Sequence, residues 1–184
     1  TNDVLDIGVS PNYAQSGIIY TLTKHALYVS HDQGNHWQAL ATRFPWHNQY
    51  WSRFVLSPNF ATDGIAFVHS GNNVLLRTTN AATAWTQITL PEAPVANAQY
   101  ISVALSPNWS VERKIFLYVN QRLYVSTNLG DTWLLLSASL PVAAADQVKS
   151  ESLQLSSQFA TDHTMFLINY EKGVYRSTDG GQSW

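Results

Sequence analysis

The sequence predicts an all-β fold made of four copies of one unit of about 50 residues, the last of them incomplete. Two observations predict it. A turn-like segment that ends in Trp occurs four times in the 184 residues, and its Trp residues are spaced by 48, 48 and 51 positions. Short runs of alternating apolar, β-branched and aromatic residues lie between these segments, without helical periodicity. A fixed period in this range indicates a repeat architecture in which each unit packs against its neighbours.

The repeated segment has the pattern Ser-x-Asp-x-Gly-x-x-Trp, which is typical of a hairpin turn. The Asp or Asn accepts hydrogen bonds from backbone N–H groups ahead of it, Gly supplies a positive φ, and Trp packs on the hairpin. Residues 30–37 and 177–184 match the pattern, residues 126–133 nearly match it, and residues 78–85 are a diverged copy. We predict a structural role for Ser30, Asp32, Gly34, Trp37, Asn80, Trp85, Ser126, Asn128, Gly130, Trp133, Ser177, Asp179, Gly181 and Trp184.

This pattern resembles the Asp-box, or bacterial neuraminidase repeat, of sialidases, sortilin-type receptors, xyloglucan-active endoglucanases and the photosystem II assembly factor. The resemblance implies that each box joins the third and fourth strands of a β-propeller blade, on the rim away from the active or binding face. It covers essentially the whole chain. Because enzymes, receptors and assembly factors share the motif, it specifies architecture and leaves function open.

A second motif begins 22 or 23 residues before the Asp or Asn of each box. It reads Ser-Pro-Asn at residues 10–12, 57–59 and 106–108, and Ser-Ser-Gln at residues 156–158. An apolar run before this anchor predicts a first strand and a run after it a second, while the third enters the box and the fourth leaves it. Four short strands per repeat predict a propeller blade. We predict one propeller segment over residues 1–184, with blades at about residues 1–44, 50–92, 99–140 and 150–184.

Three further expectations follow from the repeat. Helix content is expected to be near zero. The exchange of Gly64 for Arg113 or His163 near the equivalent place in other copies indicates a loop that tolerates variation. The last repeat stops at Trp184, before its fourth strand, so we expect further blades of the same chain to complete the ring, or a second copy of the chain as the less favoured alternative.

The composition limits the classes of partner, cofactor and metal that the chain is expected to bind. The net charge is −2, only 12% of residues are charged, and the ten basic residues form no stripe, so neither nucleic acid nor an anionic membrane surface is expected as a partner. No apolar run is long enough to span a bilayer, so direct membrane insertion is not expected. The absence of Cys excludes disulfides and thiolate metal sites. Asp63 and Asp162 lie in matching Ala-Thr-Asp segments that suggest calcium, but Ser16 and Glu112 in the other copies do not sustain a site. We predict no cofactor and no metal, in an extracellular, cell-surface or periplasmic protein.

The strand order places the boxes and anchors on one rim and leaves the opposite face for function. In that face, the segment 43–51 combines two Trp, one Tyr, one His and one Arg, which suit stacking on sugar rings or anchoring a protein partner. The alternative is that these aromatic residues fill the wedge between blades 1 and 2. The predicted ligand-binding residues are Arg43, Trp46, His47, Tyr50 and Trp51.

Catalytic chemistry has weaker support. The Phe/Tyr-Arg-Ile-Pro signature of sialidases is absent, and a glycosidase would require two carboxylates that face one another across a cleft. Acidic residues occur singly in the connections of the opposite face, at Glu92, Asp146, Glu151 and Glu171. The sequence therefore predicts a non-catalytic module that binds a protein or a glycan. The alternatives are a glycoside hydrolase with carboxylates partly in blades outside this chain, and an assembly factor for a membrane complex.

Overall fold

The computed structural model describes residues 3–41, 53–70, 74–92, 101–137, 140, 151–169 and 173–184. The chain divides into two compact units, Thr1–Gln87 and Ile88–Trp184, each with two antiparallel sheets that we number blades 1 to 4 in chain order. Within the described residues, three blades have four strands and blade 4 has three. The predicted all-β fold with four-stranded antiparallel blades and a shorter last blade is thereby confirmed. The grouping of all four blades into one segment stays a prediction.

The strands of each blade lie in chain order, and each one pairs with the next. Unit 1 contains β1 (Val4–Val9), β2 (Ile19–Thr23), β3 (Leu27–Ser30), β4 (Gln38–Ala41), β5 (Arg53–Leu56), β6 (Ala66–Ser70), β7 (Val74–Thr78) and β8 (Thr86–Gln87). Unit 2 contains β9 (Ser102–Leu105), β10 (Ile115–Val119), β11 (Arg122–Ser126), β12 (Leu134–Ser137), β13 (Glu151–Leu155), β14 (Met165–Asn169) and β15 (Gly173–Ser177).

Each unit has an apolar core between its two blades. In unit 1, the Tyr20 ring meets the Phe60 ring edge to face, with centroids 5.2 Å apart, in a core that also contains Leu22 and Val68. In unit 2, Phe116 and Phe159 meet in the same way at 5.2 Å. Alternate residues of β2, β6, β10 and β14 lie in these cores, because successive strand residues point to opposite faces.

The first strands of neighbouring blades are joined within each unit by one side chain. Asp6 on β1 accepts a hydrogen bond from the Phe54 backbone N–H on β5, at 2.8 Å. Ser102 on β9 accepts one from the Leu153 N–H on β13, at 2.9 Å. Asp6 and Ser102 each lie four residues before an anchor Ser, so one repeat position provides the same contact in both units.

The expectation of near-zero helix content needs correction, because a single helical turn follows every anchor: α1 (Tyr13–Ser16), α2 (Phe60–Asp63), α3 (Trp109–Glu112) and α4 (Phe159–Asp162). The residue after each turn adopts the left-handed conformation. Its φ is 63° at Gly17, 60° at Gly64, 46° at Arg113 and 49° at His163. Its N–H donates to the carbonyl at the start of the turn, which is a standard helix C-terminus. The exchange of Gly64 for Arg113 and His163 therefore does not indicate a permissive loop.

The helical turn is also bonded back to its anchor. Ser57 Oγ lies 2.8 Å from each carboxylate oxygen of Asp63, Ser156 Oγ donates to Asp162 at 2.6 Å, and Ser106 Oγ donates to Glu112 at 3.0 Å. The acidic residues weighed as calcium ligands thus bond to the anchor. Among the described residues, no group of His, Cys, Asp or Glu side chains is arranged to hold a metal ion.

Candidate functional site

The two ends of a blade carry different sequence features. Antiparallel pairing places the anchor turns and the boxes together at one end of a blade, which we call the box end. The turn between the second and third strands lies at the other end, which we call the opposite end. The repeated motifs therefore lie at the box end, whereas the opposite end carries connections whose sequences differ from blade to blade.

The box end is occupied by turns that bond internally. In residues 177–184, Ser177 Oγ accepts from the Gly181 N–H at 2.9 Å and donates to Asp179 at 2.7 Å. Asp179 accepts from the Ser183 N–H at 2.9 Å, and Trp184 Nε1 donates to the Gly181 carbonyl at 3.2 Å. Hydrogen bonds from the side chain and backbone of Ser183 hold the pKa of Asp179 well below its usual range. Both oxygens of this carboxylate therefore accept hydrogen bonds from within the turn.

The other boxes keep the same contacts with different residues. Asp32 accepts from the His36 N–H at 2.8 Å, Asn80 from Ala84 at 3.0 Å and Asn128 from Thr132 at 2.9 Å. The diverged copy replaces the hydroxyl of Ser by that of Thr78, which accepts from the Ala82 N–H at 3.1 Å. The structural role of the box residues stays a prediction until a substitution tests it.

At the opposite end of unit 1, the described residues form a small polar group. The Lys24 ammonium pairs with Asp3, and Arg53 lies beside Asp6 at 3.9 Å. His69 is buried and lies opposite Arg53 in the pairing of β5 with β6. Burial, together with the charge of Arg53, lowers its pKa to about 4, so the imidazole is neutral at neutral pH. The predicted ligand-binding residues lie outside the described residues: Arg43, Trp46, His47, Tyr50 and Trp51.

At the opposite end of unit 2, three donors of one hairpin meet a single carboxylate. Glu92 accepts a hydrogen bond from Asn120 Nδ2 at 3.1 Å and from Arg122 at 2.5 Å. It also accepts one from the Tyr124 hydroxyl. Glu92 lies in a bend outside the strands, whereas its three partners lie on or beside β10 and β11. We call Asn120, Arg122 and Tyr124 the donor cluster.

The turn that presents the donor cluster has an uncommon backbone. Asn120 and Gln121 connect β10 to β11 as a two-residue hairpin loop, with φ of 49° and 61°. Positive φ at both loop positions is the type I′ geometry, which Asn adopts readily and Gln does not. The loop directs Asn120 toward the side of the sheet on which Arg122 and Tyr124 lie.

The electrostatics of this cluster favour one protonation state. Burial raises the pKa of Glu92, but the hydrogen bonds from Tyr124, Arg122 and Asn120 outweigh it, so the net shift is downward. Burial and the bond to Glu92 raise the pKa of the Tyr124 phenol. Glu92 is therefore an anion and Tyr124 a neutral donor at neutral pH. A carboxylate with three donors is a poor proton acceptor, so it does not suit general acid–base work.

From the sequence, Glu92 is only one of four scattered acidic residues, and neither Arg122 nor Tyr124 stands out. Of Glu92, Asp146, Glu151 and Glu171, the structure describes the side chain of Glu92 alone. The signal that could have pointed to the donor cluster is the alternation in Asn120-Gln121-Arg122-Leu123-Tyr124, which places Arg122 and Tyr124 on one face of β11.

Within the part of the chain that the structure describes, no helix is long and apolar enough to cross a membrane, since every helix there has four residues.

Solved structures similar to this chain are β-propeller proteins of several kinds. The GH74 xyloglucanase from Xanthomonas campestris matches with a TM-score of 0.69 and 19% identity, over 100% of this chain and 30% of that one. The extracellular domain of the one component system BT4673 from B. thetaiotaomicron matches at 0.63 and 15%, over 97% and 21%. YCF48 from Cyanidioschyzon merolae matches at 0.53 and 16%, over 96% and 56%. The fold is therefore that of a β-propeller.

The similarity is limited to part of each larger protein. This chain spans 29% and 30% of the length of two GH74 enzymes that it matches. No protein-family model matches the chain, and no curated protein sequence matches it. At these identities the similarity shows the fold alone, and the identity of the repeats as Asp-boxes stays a prediction.

Proposed function

We propose that this chain is a non-catalytic propeller module that binds a glycan or a protein at the opposite end of its blades. The observation that carries the proposal is the state of Glu92. Of the four acidic residues predicted at this face, Glu92 is the one whose side chain the structure describes. Its carboxylate accepts hydrogen bonds from three donors. A site built this way binds and orients groups through hydrogen bonds but has no free acid or base in it.

A glycan is the preferred ligand for two reasons. Arg, Asn and Tyr side chains supply the hydrogen bonds that sugar hydroxyl and carboxylate groups require, and the aromatic residues predicted for this face suit stacking on sugar rings. The similarity to GH74 enzymes is in keeping with such a ligand. The similarity to the extracellular domain of BT4673 likewise supports an exported or surface protein.

The test is a binding measurement paired with an activity measurement on the same protein. We expect the purified chain to bind immobilised plant polysaccharide or its oligosaccharides in calorimetry, and to release no reducing sugar from xyloglucan. Substitution of Trp46 and Trp51 by Ala should weaken binding, whereas Trp37→Ala at the box end should not. Equal loss from both changes would contradict the assignment of the binding face.

The second candidate is a glycoside hydrolase whose catalytic carboxylates lie partly in other blades. One observation favours it: this chain matches less than a third of the length of the GH74 enzymes, so most of such an enzyme would lie outside it. Release of xyloglucan oligosaccharides by a longer native protein, and not by this chain, would support it. The similarity to YCF48 keeps an assembly factor as a third candidate, which binding to a membrane-protein peptide without glycan affinity would support.

We further propose that additional blades of the same protein pack on the exposed sheet faces. On β1 of unit 1, Ile7 and Val9 are 60% and 52% exposed. In blade 4 of unit 2, Ile168 and Val174 are 42% and 66% exposed. Apolar side chains at such positions are normally covered in repeat proteins. The mass and solution size of the native protein test this: a protein of this length that forms a dimer would favour a second copy instead.

A further inference from the structure

The donor cluster has the composition of a carboxylate-binding site. Its guanidinium supplies the charge, its phenol and carboxamide supply two neutral donors, and all three meet at one point. Tyr124 is 6% exposed and belongs to the paired strand β11, so its position is set by the sheet. A preformed set of donors on rigid elements retains its geometry when its occupant changes.

Glu92 is the less firmly held member of the contact. It belongs to a bend that precedes β9, and no strand pairing holds it in place. The Arg122 side chain is 48% exposed and the Glu92 side chain 17% exposed, so the contact borders solvent. The carboxylate of a ligand can therefore reach the guanidinium of Arg122 once Glu92 turns away. Glu92 then loses three hydrogen bonds, and the ligand carboxylate forms three in their place.

We propose that Asn120, Arg122 and Tyr124 form a binding site for the carboxylate of an acidic glycan, such as a uronic acid residue, and that Glu92 occupies this site in the unliganded protein. The inference deepens the proposed function and rests on it, since it names one binding site at the opposite end and the ligand class it takes. Glu92 then acts as an intramolecular competitor that the ligand displaces.

The mixture of one charged and two neutral donors favours an acidic glycan over an acidic peptide. The site contains one cation and two neutral donors, which matches one carboxylate flanked by hydroxyl groups on a sugar ring. An Asp or Glu side chain of a peptide presents its carboxylate without such neighbouring hydroxyl groups.

Glu92 and the donor cluster belong to the same chain, and this covalent connection, the tether, sets how strongly a ligand must bind. A short tether gives Glu92 an effective concentration in the millimolar range. An isolated carboxylate such as acetate then competes poorly in the natural protein, whereas an oligosaccharide gains from its neighbouring sugars. Removal of Glu92 removes the competitor, so the apparent affinity for the same oligosaccharide should rise by about tenfold or more.

The experiment measures trigalacturonate binding by calorimetry at constant ionic strength, with neutral galactotriose and a tri-aspartate peptide as comparison probes. The proteins are the natural chain, Glu92→Ala, Glu92→Gln and the double variant Glu92→Ala with Arg122→Ala. Arg176→Ala is the matched control, because it removes a positive charge from the same unit at the box end. Thermal unfolding with and without trigalacturonate provides a second readout for any variant of low stability.

We expect Glu92→Ala to bind trigalacturonate at least tenfold more tightly than the natural chain and to regain its melting temperature with saturating ligand. Glu92→Gln should show a smaller gain, the double variant no binding, and Arg176→Ala no change. Equal affinity of the natural chain and Glu92→Ala would overturn the inference, because Glu92 would then be only a structural contact. Arg122-dependent binding of tri-aspartate without trigalacturonate binding would overturn the choice of glycan.

The two proposals fail in different ways. If the natural chain binds neutral xyloglucan oligosaccharides but Glu92→Ala gains no affinity for trigalacturonate, the proposed function stands and this inference fails. If Glu92→Ala binds trigalacturonate while the natural chain binds neither glycan nor protein, the donor cluster is a carboxylate site and the proposed function fails.

Discussion

Ser57 Oγ lies 2.8 Å from both carboxylate oxygens of Asp63, six residues further along the chain. Ser57 is fully buried, whereas the equivalent Ser156 of blade 4 bonds to Asp162 nearer the surface. The same contact therefore occurs in two environments. A hydrogen bond to a charged group contributes more where water competes less.

This difference predicts the effect of removing the hydroxyl. We expect Ser57→Ala to lower the free energy of unfolding by about 1–3 kcal/mol, and Ser156→Ala by less than about 1 kcal/mol. Chemical denaturation of the two variants checks the prediction. Equal losses would mean that burial does not determine the strength of the contact.

The left-handed residues after the helical turns predict two stabilising substitutions. Arg113 and His163 have φ of 46° and 49°, a conformation that costs a residue with a Cβ about 1–2 kcal/mol. We expect Arg113→Gly and His163→Gly to raise the free energy of unfolding by about 0.5–1 kcal/mol, after the entropy of Gly in the unfolded chain is subtracted.

The reverse substitution provides the control. A Cβ at Gly64 would lie 2.6 Å from the Ala81 backbone N, so Gly64→Ala should destabilise by about 1–3 kcal/mol. At Gly17 the nearest atom is Gln33 Cγ at 3.2 Å, in a side chain that can move, so Gly17→Ala should cost less. Melting temperatures of the four variants check the series, and a loss of stability in Arg113→Gly would contradict it.

Two adjacent glycines of the last box allow the effect of backbone strain on stability to be distinguished from the effect of overpacking. Gly180 and Gly181 have φ of 73° and 94°. A Cβ at Gly180 would meet no atom within 4 Å, whereas one at Gly181 would overlap Leu123 in the core. We expect Gly181→Ala to cost about 1–3 kcal/mol more than Gly180→Ala, because overpacking adds to the backbone strain that both share. Denaturant unfolding of both variants checks this, and equal costs would locate the whole effect in the backbone.

His69 predicts a dependence of stability on pH. Burial and the charge of Arg53 lower its pKa to about 4, below the usual value near 6.5, so the unfolded chain takes up a proton more readily than the folded one. Its contribution is therefore constant above about pH 6.5 and is lost as the pH falls from about 6.5 to 4, by up to about 3 kcal/mol.

The matched variant follows from the repeat. Strand register places His69 where blade 1 has the buried Leu22, so His69→Leu preserves an apolar residue at that position. Thermal unfolding from pH 7.5 to 4 should show a smaller fall in stability for His69→Leu than for the natural chain. Parallel curves would mean that His69 does not titrate in this range.

The strands, the turns between the third and fourth strands and the repetition of the unit were predictable from the sequence because they depend on local patterns. Alternation of apolar residues determines which face of a strand is buried, and turn residues determine where it ends. The aromatic site at Arg43, Trp46, His47, Tyr50 and Trp51 remains a prediction from composition. The helical turns were missed because four residues are too few for helical periodicity to be visible.

Contacts between distant residues were decided by the tertiary structure. Asp6 reaches the Phe54 N–H, and Glu92 reaches Arg122 and Tyr124, across separations of 48, 30 and 32 residues. No local pattern encodes such pairs, because they depend on which strands become neighbours and how their registers align. The sequence by itself determined the blades and their turns. The converging donors that form a candidate carboxylate site exist only once the chain has folded.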